Sequence, residues 1–229
     1  MPLASLVTLT ELKRYIAIND DNSSFDASLK QLARVATKSL ETYCRVNFSR
    51  AEYTEYFNTR NSTQYAYDLT SDYTNLEGIL EANQVQRFPL KGVPVDTEED
   101  ITVWYDTSRQ FADSLAALAA TEFYINAAGT SLYLLKGTAN AARSLKVTYT
   151  GGYTTAVQAG ETILTGAPEN LKLACITQVI YLFNKMQEGN VGVRGSKKHS
   201  PEYIQNEQML CPEAQALAID FRRSLVGKR

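Results

Sequence analysis

The chain of 229 residues holds one histidine and three cysteines, and the chemistry these could support is thin. His199 follows Asn190-Val191-Gly192-Val193-Arg194-Gly195-Ser196-Lys197-Lys198, a Gly, Lys and Ser stretch with no packed scaffold to hold an imidazole against a nucleophile or a metal. It reads as a solvated surface side chain, and without it a Ser/His/Asp arrangement has no base; no Ser-centred elbow with Gly flanks occurs either. Cys44, Cys175 and Cys211 lack zinc spacing, and their odd number and wide separation argue against a disulfide framework.

Carboxylates offer slightly more. In Asp96-Thr97-Glu98-Glu99-Asp100, the side chains of Glu98 and Asp100 are two apart and would share a strand face, as an acid and base pair requires. Nothing there raises the proton affinity of either, and the run lacks the alternate ligands and central Gly of a calcium loop, so a solvated turn is expected. Gly192-Val193-Arg194-Gly195 and Gly151-Gly152 fit no phosphate-loop pattern. The expectation is a chain without catalytic residues, metal or cofactor, and not an enzyme.

Charge is uneven although its total is only -2. Residues 51–110 hold eleven carboxylates against four cations, whereas from Asn190 onward seven cations outnumber four carboxylates. An acidic body with a basic arm suits docking on an acidic partner surface or, more simply, a solvated face and a frayed end. The balance gives no bulk case for nucleic-acid binding. Fourteen tyrosines, with no basic surface near them, read as sheet packing and interface residues. With 44% hydrophobic residues the chain can build one good core and a smaller second one. The opening Met-Pro-Leu-Ala-Ser-Leu-Val lacks the charged flank of a secretory signal, no apolar run approaches the ~18 residues of a membrane span, and the reduced thiols fit a cytoplasm. The Asn-x-Ser/Thr triplets at Asn22, Asn47 and Asn61 are read as chance matches.

Three kinds of element must carry these residues. Thr8-Leu9-Thr10-Glu11 has the form of a capping box for a short helix bearing Leu9, Leu12, Tyr15 and Ile16. Ser23 with Asp26 is expected to start a second helix, on which Phe25, Leu29, Leu32, Ala36, Leu40 and Tyr43 recur at helical spacing. From Arg50 the period becomes two, at Glu52–Phe57, Val85–Leu90, Ile101–Tyr105, Phe123–Ile125, Leu132–Leu134 and Leu145–Tyr149, predicting five or six short, largely antiparallel strands. Residues 58–84 read as an extended loop with an edge strand, Asp113–Ala120 as one or two helical turns, and Tyr153–Gly166 as a linker of Thr, Ala and Gly. Pro168 then opens a long helix with Leu171, Ala174, Cys175, Val179, Leu182, Phe183 and Met186 on one stripe, widened by Ile176 and Ile180. Gly189 stops it, a mobile arm follows, and Pro212 with Glu213 opens a last helix bearing Leu217, Phe221 and Leu225.

Neither end helix can bury its apolar face alone, so the fold class is α+β: terminal helices packed as a helical bundle around an inserted antiparallel β domain, with an extended C-terminal arm. The expected division is 1–50 with 160–189, an insertion at 51–159, and an arm at 190–229. Leu29, Leu32, Leu40, Leu171, Val179, Leu182 and Phe183 are the expected packing residues of the bundle and of any subunit contact.

Leu9-Thr10-Glu11-Leu12-Lys13-Arg14-Tyr15-Ile16, then Asp20-Asp21, then Leu29-x-x-Leu32-Ala33-x-x-Ala36 ending Glu41-Thr42-Tyr43-Cys44-Arg45, resembles the head-tail connector (adaptor) proteins of tailed bacteriophages. Val147-Thr148-Tyr149-Thr150-Gly151-Gly152-Tyr153 and Ala167-Pro168-Glu169-Asn170-Leu171-Lys172-Leu173-Ala174 match the second half of that pattern, and Phe123-Tyr124-Ile125-Asn126 is similar to a strand of longer members. These motifs follow one another in the expected order over half of the chain. The chain is longer than compact members, and residues 58–84 match nothing in the pattern.

The resemblance implies a virion structural protein at the head-tail interface, the neck, made in the host cytoplasm. It implies a ring, commonly of twelve subunits, beneath the portal protein, with a neck stopper or tail-completion protein on its far face. Genome DNA would pass through the lumen without sequence-specific binding, helped by an acidic lining. It assigns portal contact to the arm, through Val191, Val193, Arg194, Lys197, Lys198, Tyr203, Ile204, Phe221, Arg222, Arg223 and Leu225. The alternatives are a stopper-like or tail-completion component and, distantly, an enzyme using Glu98 and Asp100.

Overall fold

Thr8 opens the first helix as its spacing to Glu11 predicts: the Glu11 amide donates to the Thr8 hydroxyl at 3.2 Å, and the Glu11 carboxylate accepts the Thr8 amide at 2.7 Å. The structure is a computed structural model, and it describes residues 4–60, 85–96, 101–111, 117–158, 160–187 and 210–223. It is a mixed α+β fold, with four helices and eight strands among these residues. The chain separates into two compact units, one within 1–49 and 153–222, the other within 50–152 and 223–229.

The first unit is built on α1 (Leu9–Ile16), α2 (Asp26–Cys44), α3 (Glu169–Gln187) and α4 (Pro212–Ala218). Helix α3 packs against α2 and α4, and α1 touches α2 and α3. Leu29, Ala36, Leu40, Leu171, Ala174, Cys175 and Val179 are buried where these helices meet, and Phe25 meets Phe183 edge to face at 5.5 Å. Helices α1 and α2 both end on a left-handed residue, Ala17 at φ 58° and Arg45 at φ 59°, whose backbone amides close the last turn.

Two expectations are corrected here. Ser23 does not cap α2; Phe25 occupies the cap position without a side-chain bond, and only the Ser23 carbonyl takes part, accepting from the Asp26 amide. Tyr153–Gly166 is not a linker: β7 (Thr154–Gln158) and β8 (Glu161–Thr165) form a hairpin, with Gly160 supplying a positive φ at the turn. Ser5 pairs alongside Ile163, giving the hairpin a third segment, and Leu6 and Val7 next to it are buried. The hairpin therefore groups with the helices, so the unit boundary falls after Gly152 where 159 was expected. Helix α4 and its 3₁₀ extension (Ile219–Phe221) fall in the same unit as the other helices.

The second unit has two three-stranded antiparallel sheets. One runs β1-β6-β3, from Ala51–Thr59, Ala141–Gly151 and Thr102–Tyr105; the other runs β2-β5-β4, from Gln86–Pro89, Ser131–Leu134 and Phe123–Ile125. In β1 the alternation holds: Tyr53, Glu55 and Phe57 turn inward, and Glu52, Thr54 and Tyr56 outward. Phe57 meets Phe88 of β2 at 5.2 Å, and β5 is buried throughout. The expectations for most of 58–84 and for part of Asp113–Ala120 lie outside the described residues, as do Glu98, Asp100 and His199.

Candidate functional site

A buried polar constellation inside the second unit joins segments far apart in sequence. Glu55 on β1 and Tyr149 on β6 both face inward, and the Tyr149 hydroxyl donates to Glu55 Oε1 at 2.7 Å. The same phenolic oxygen accepts from the amides of Lys91 and Gly92, at 3.0 and 2.9 Å, and the Lys91 amide is also 2.7 Å from Glu55 Oε1. Arg223 Nη2 closes the group with a 2.9 Å bond to Glu55 Oε2, the two side chains being only 16% and 14% exposed.

Close approach makes the group possible. The Tyr53 ring lies over Gly92 and stacks on Tyr149 at 5.6 Å, and a Cβ on Gly92 would overlap that ring. A Cβ on Gly151 would overlap the Gly92 carbonyl. Burial, reinforced by the Glu55 carboxylate, holds the Tyr149 phenol protonated far above its ordinary range. A tyrosine kept neutral, with its oxygen fully engaged, cannot serve as a base or nucleophile. The constellation is a staple between β1, β6 and the segment at 91–92.

The thiols are equally closed to chemistry. Cys44, Cys175 and Cys211 are free and buried. Burial pushes Cys44 and Cys175 up to about 12, and Cys211 upward as well. Nucleophilic thiols need the opposite shift. Among the described residues no group of three or more His, Cys, Asp or Glu side chains could hold a metal ion, and no helix is long and apolar enough to cross a membrane.

The residues expected to form subunit packing are divided. Leu29, Leu40, Leu171, Val179 and Phe183 are buried inside the chain's own helical unit, while Leu32 and Leu182 are half-buried. The broad face of α3 packs against α2 and α4. Of the arm residues, Phe221 is half-buried in the 3₁₀ turn after α4, the Arg222 guanidinium lies 5.1 Å over the Tyr43 ring, and Arg223 is bound to Glu55. Val191, Val193, Arg194, Lys197, Lys198, Tyr203, Ile204 and Leu225 lie outside the described residues. Spacing along the chain could not reveal the Glu55, Tyr149 and Arg223 group, because its partners are 94 and 168 positions apart.

No family model matches the chain, and no curated protein matches it. Among solved structures, it is similar to a chain of the neck of an empty GTA particle computed with C6 symmetry, with a TM-score of 0.48 at 12% identity over 98% of this chain and 94% of that one. It is similar also to a chain of the virion of a native gene transfer agent (GTA) particle, with a TM-score of 0.46 at 13% identity over 97% and 93%. A chain of the neck of a native GTA particle computed with C12 symmetry gives a TM-score of 0.44 at 12% identity over the full length of both. Likenesses at this level assign neither a fold nor a role to this chain.

Proposed function

We propose that the chain is a non-catalytic structural subunit of the neck of a tailed-phage-type particle, acting as a head-tail connector. The observation that supports it is the joint folding of the two segments that carry the resemblance. The Leu9–Cys44 motif forms α1 and α2, the Ala167–Ala174 motif opens α3, and α3 packs directly on α2. The polar groups best placed for chemistry, Glu55, Tyr149 and the buried thiols, are taken up in holding this fold together.

In this reading the subunits close a ring, of twelve copies by the resemblance, beneath the portal protein, with a stopper or tail-completion protein on the other face. Portal contact is proposed for the stretch from Val191 to Ile204, with its basic residues Arg194, Lys197 and Lys198. Arg222 and Arg223 are already engaged within the chain, Arg222 over the Tyr43 ring and Arg223 on Glu55, so they are left out of that contact.

The test is a particle assembled without this chain. DNA-filled heads lacking tails are the expected product, restored to tailed particles by the added protein. Tailed, infectious particles formed in its absence would refute the proposal. A narrower experiment replaces 190–209 with a neutral linker of equal length, keeping α4. Loss of portal binding by an otherwise folded protein is expected, and undiminished binding would remove the portal role from that segment.

A further inference from the structure

The outward face of the β1-β6-β3 sheet carries a feature that the connector reading does not use. Lys146 on β6 is in register with Tyr56 on β1 and Trp104 on β3, so these three side chains form one cross-strand row. The Lys146 ammonium lies 4.3 Å over the Trp104 ring, and the Arg143 guanidinium lies 5.0 Å over the Tyr56 ring. Against this row packs the turn after β3, placing Phe111 5.6 Å from Tyr56. The result is a cavity of about 410 Å³ lined by Tyr56, Arg109, Gln110, Phe111, Arg143 and Lys146.

Three cations therefore converge in a unit whose sequence is otherwise rich in carboxylates. Among the described residues none of the three makes an ion pair. The nearest carboxylate in sequence, Asp106, is turned to other work: it accepts from the Ser108 hydroxyl and from the amides of Ser108, Gln110 and Phe111. Those bonds, led by the Ser108 hydroxyl, hold its carboxyl below the usual range and fix the turn that presents Arg109 and Phe111.

The backbone supplies a second, independent observation. Five non-glycine residues have positive φ among the described residues. Ala17 and Arg45 are at helix C-termini, where that conformation is ordinary. The other three, Arg109 at 63°, Phe111 at 45° and Arg143 at 52°, all line this cavity. Left-handed backbone is unfavourable for residues with a Cβ, and it gathers where a side chain must be aimed.

We infer that this cavity is a binding site for the carboxylate side chains of an acidic polypeptide segment, held by Arg109, Arg143 and Lys146 against the Tyr56 and Phe111 rings. Guanidinium forks match carboxylates in pairs, and the rings accept the methylene stems of Glu. A nucleic-acid strand is the poorer occupant. Polyphosphate binding gains from a long cationic track that releases many counterions, whereas here three cations are confined to one cavity in an acidic unit. The inference stands on these residues alone and does not depend on the connector reading.

The experiment is fluorescence anisotropy of labelled hexaglutamate with the full chain at low salt. Binding that weakens as salt is raised is expected, with a loss of at least about tenfold in Arg143→Gly and in Lys146→Gln, while Lys172→Gln in the other unit leaves affinity unchanged. Glycine accepts a positive φ readily, so Arg143→Gly should melt no lower than the wild type, which separates lost binding from lost folding. The inference is overturned if the wild type binds no hexaglutamate, or if binding survives both cavity substitutions. A labelled oligothymidylate that binds more tightly than hexaglutamate, and loses affinity with the same substitutions, would overturn it in favour of a nucleic-acid occupant.

Discussion

The Tyr149 hydroxyl donates to Glu55 Oε1 at 2.7 Å while its own oxygen receives the amides of Lys91 and Gly92, so one phenol ties two strands to a connecting segment. Tyr149→Phe keeps the ring and its stack on Tyr53 but leaves the Gly92 amide without an acceptor. The Lys91 amide retains Glu55. A buried donor left unmet costs about 1–3 kcal/mol, and the substitution is expected to lower unfolding stability by that amount. Urea titration of the two proteins measures it. A loss under about 0.5 kcal/mol, the range of ordinary surface changes, would show that the phenol contributes packing only.

Buried acids make the fold sensitive to alkali. Unfolded thiols ionise near 9.0, whereas burial keeps Cys44 and Cys175 protonated to about 12. Between those values the unfolded chain binds fewer protons than the native one, so stability falls as pH rises, by up to about 1.4 kcal/mol per pH unit for each thiol. Below that window both states hold the proton and these groups add no slope. Tyr153, raised from 10.0 to about 12 by burial and by Cys44, adds to the decline at its upper end. Urea unfolding between pH 8 and 11 under reducing conditions should show the fall, and Cys175→Ala should show a shallower one from a lower starting stability. An unchanged slope would place the alkaline loss elsewhere.

What could be read along the chain depended on how far apart the determinants are. Helix α1 was legible because Thr8 and Glu11 are three positions apart, and α2 and α3 because their apolar stripes repeat within each turn. The alternation of Tyr53, Glu55 and Phe57 placed β1, but whether Glu55 faced water or a partner depended on Tyr149 and Arg223, which no local pattern can bring near. The β7-β8 hairpin was hidden by Thr, Ala and Gly, which resemble linker composition. Its one signal was Gly160 between two short runs that place Ile163 and Leu164 in the core. The apolar stripe of α3 was legible, but not what covers its full width: α3 packs on α2 and on α4, whose Ala214 and Ala218 are fully buried.

Gly151 separates packing from chain flexibility. A Cβ there would overlap the backbone carbonyl of Gly92 and crowd the Tyr149 ring, and a carbonyl cannot swing aside as a side chain can. Gly151→Ala is therefore expected to destabilise the second unit by about 1–3 kcal/mol, the range for overpacking. Gly166 provides the contrast: its φ is 79° and a Cβ would meet nothing, so Gly166→Ala should cost only the strain of left-handed backbone, about 1–2 kcal/mol. Gly166→Asn should recover part of that loss, since Asn tolerates the conformation, whereas Gly151→Asn should be worse than Gly151→Ala. Thermal melts of the four variants test the ordering, and recovery in Gly151→Asn would contradict the packing argument.

Helix α4 is tied at its start to α3 by a buried side chain: Gln178 Oε1 accepts the Cys211 amide at 2.8 Å, with Gln178 only 3% exposed. The Cys44 thiol meets the Ala218 carbonyl at the other end, at 3.6 Å. Gln178→Leu fills the space but offers no acceptor, which leaves the Cys211 amide buried and unpaired at a cost of about 1–3 kcal/mol. Backbone amides of 211–218 should then exchange hydrogen faster than in the wild type, while those of α2 keep their protection. A chain ended at residue 209 loses the whole helix, uncovers the seam at Cys44, whose thiol meets the Ala218 carbonyl, and should label at Cys44 in the native state where the full chain does not. Equal labelling of the two chains would show that α4 is not what shields that seam.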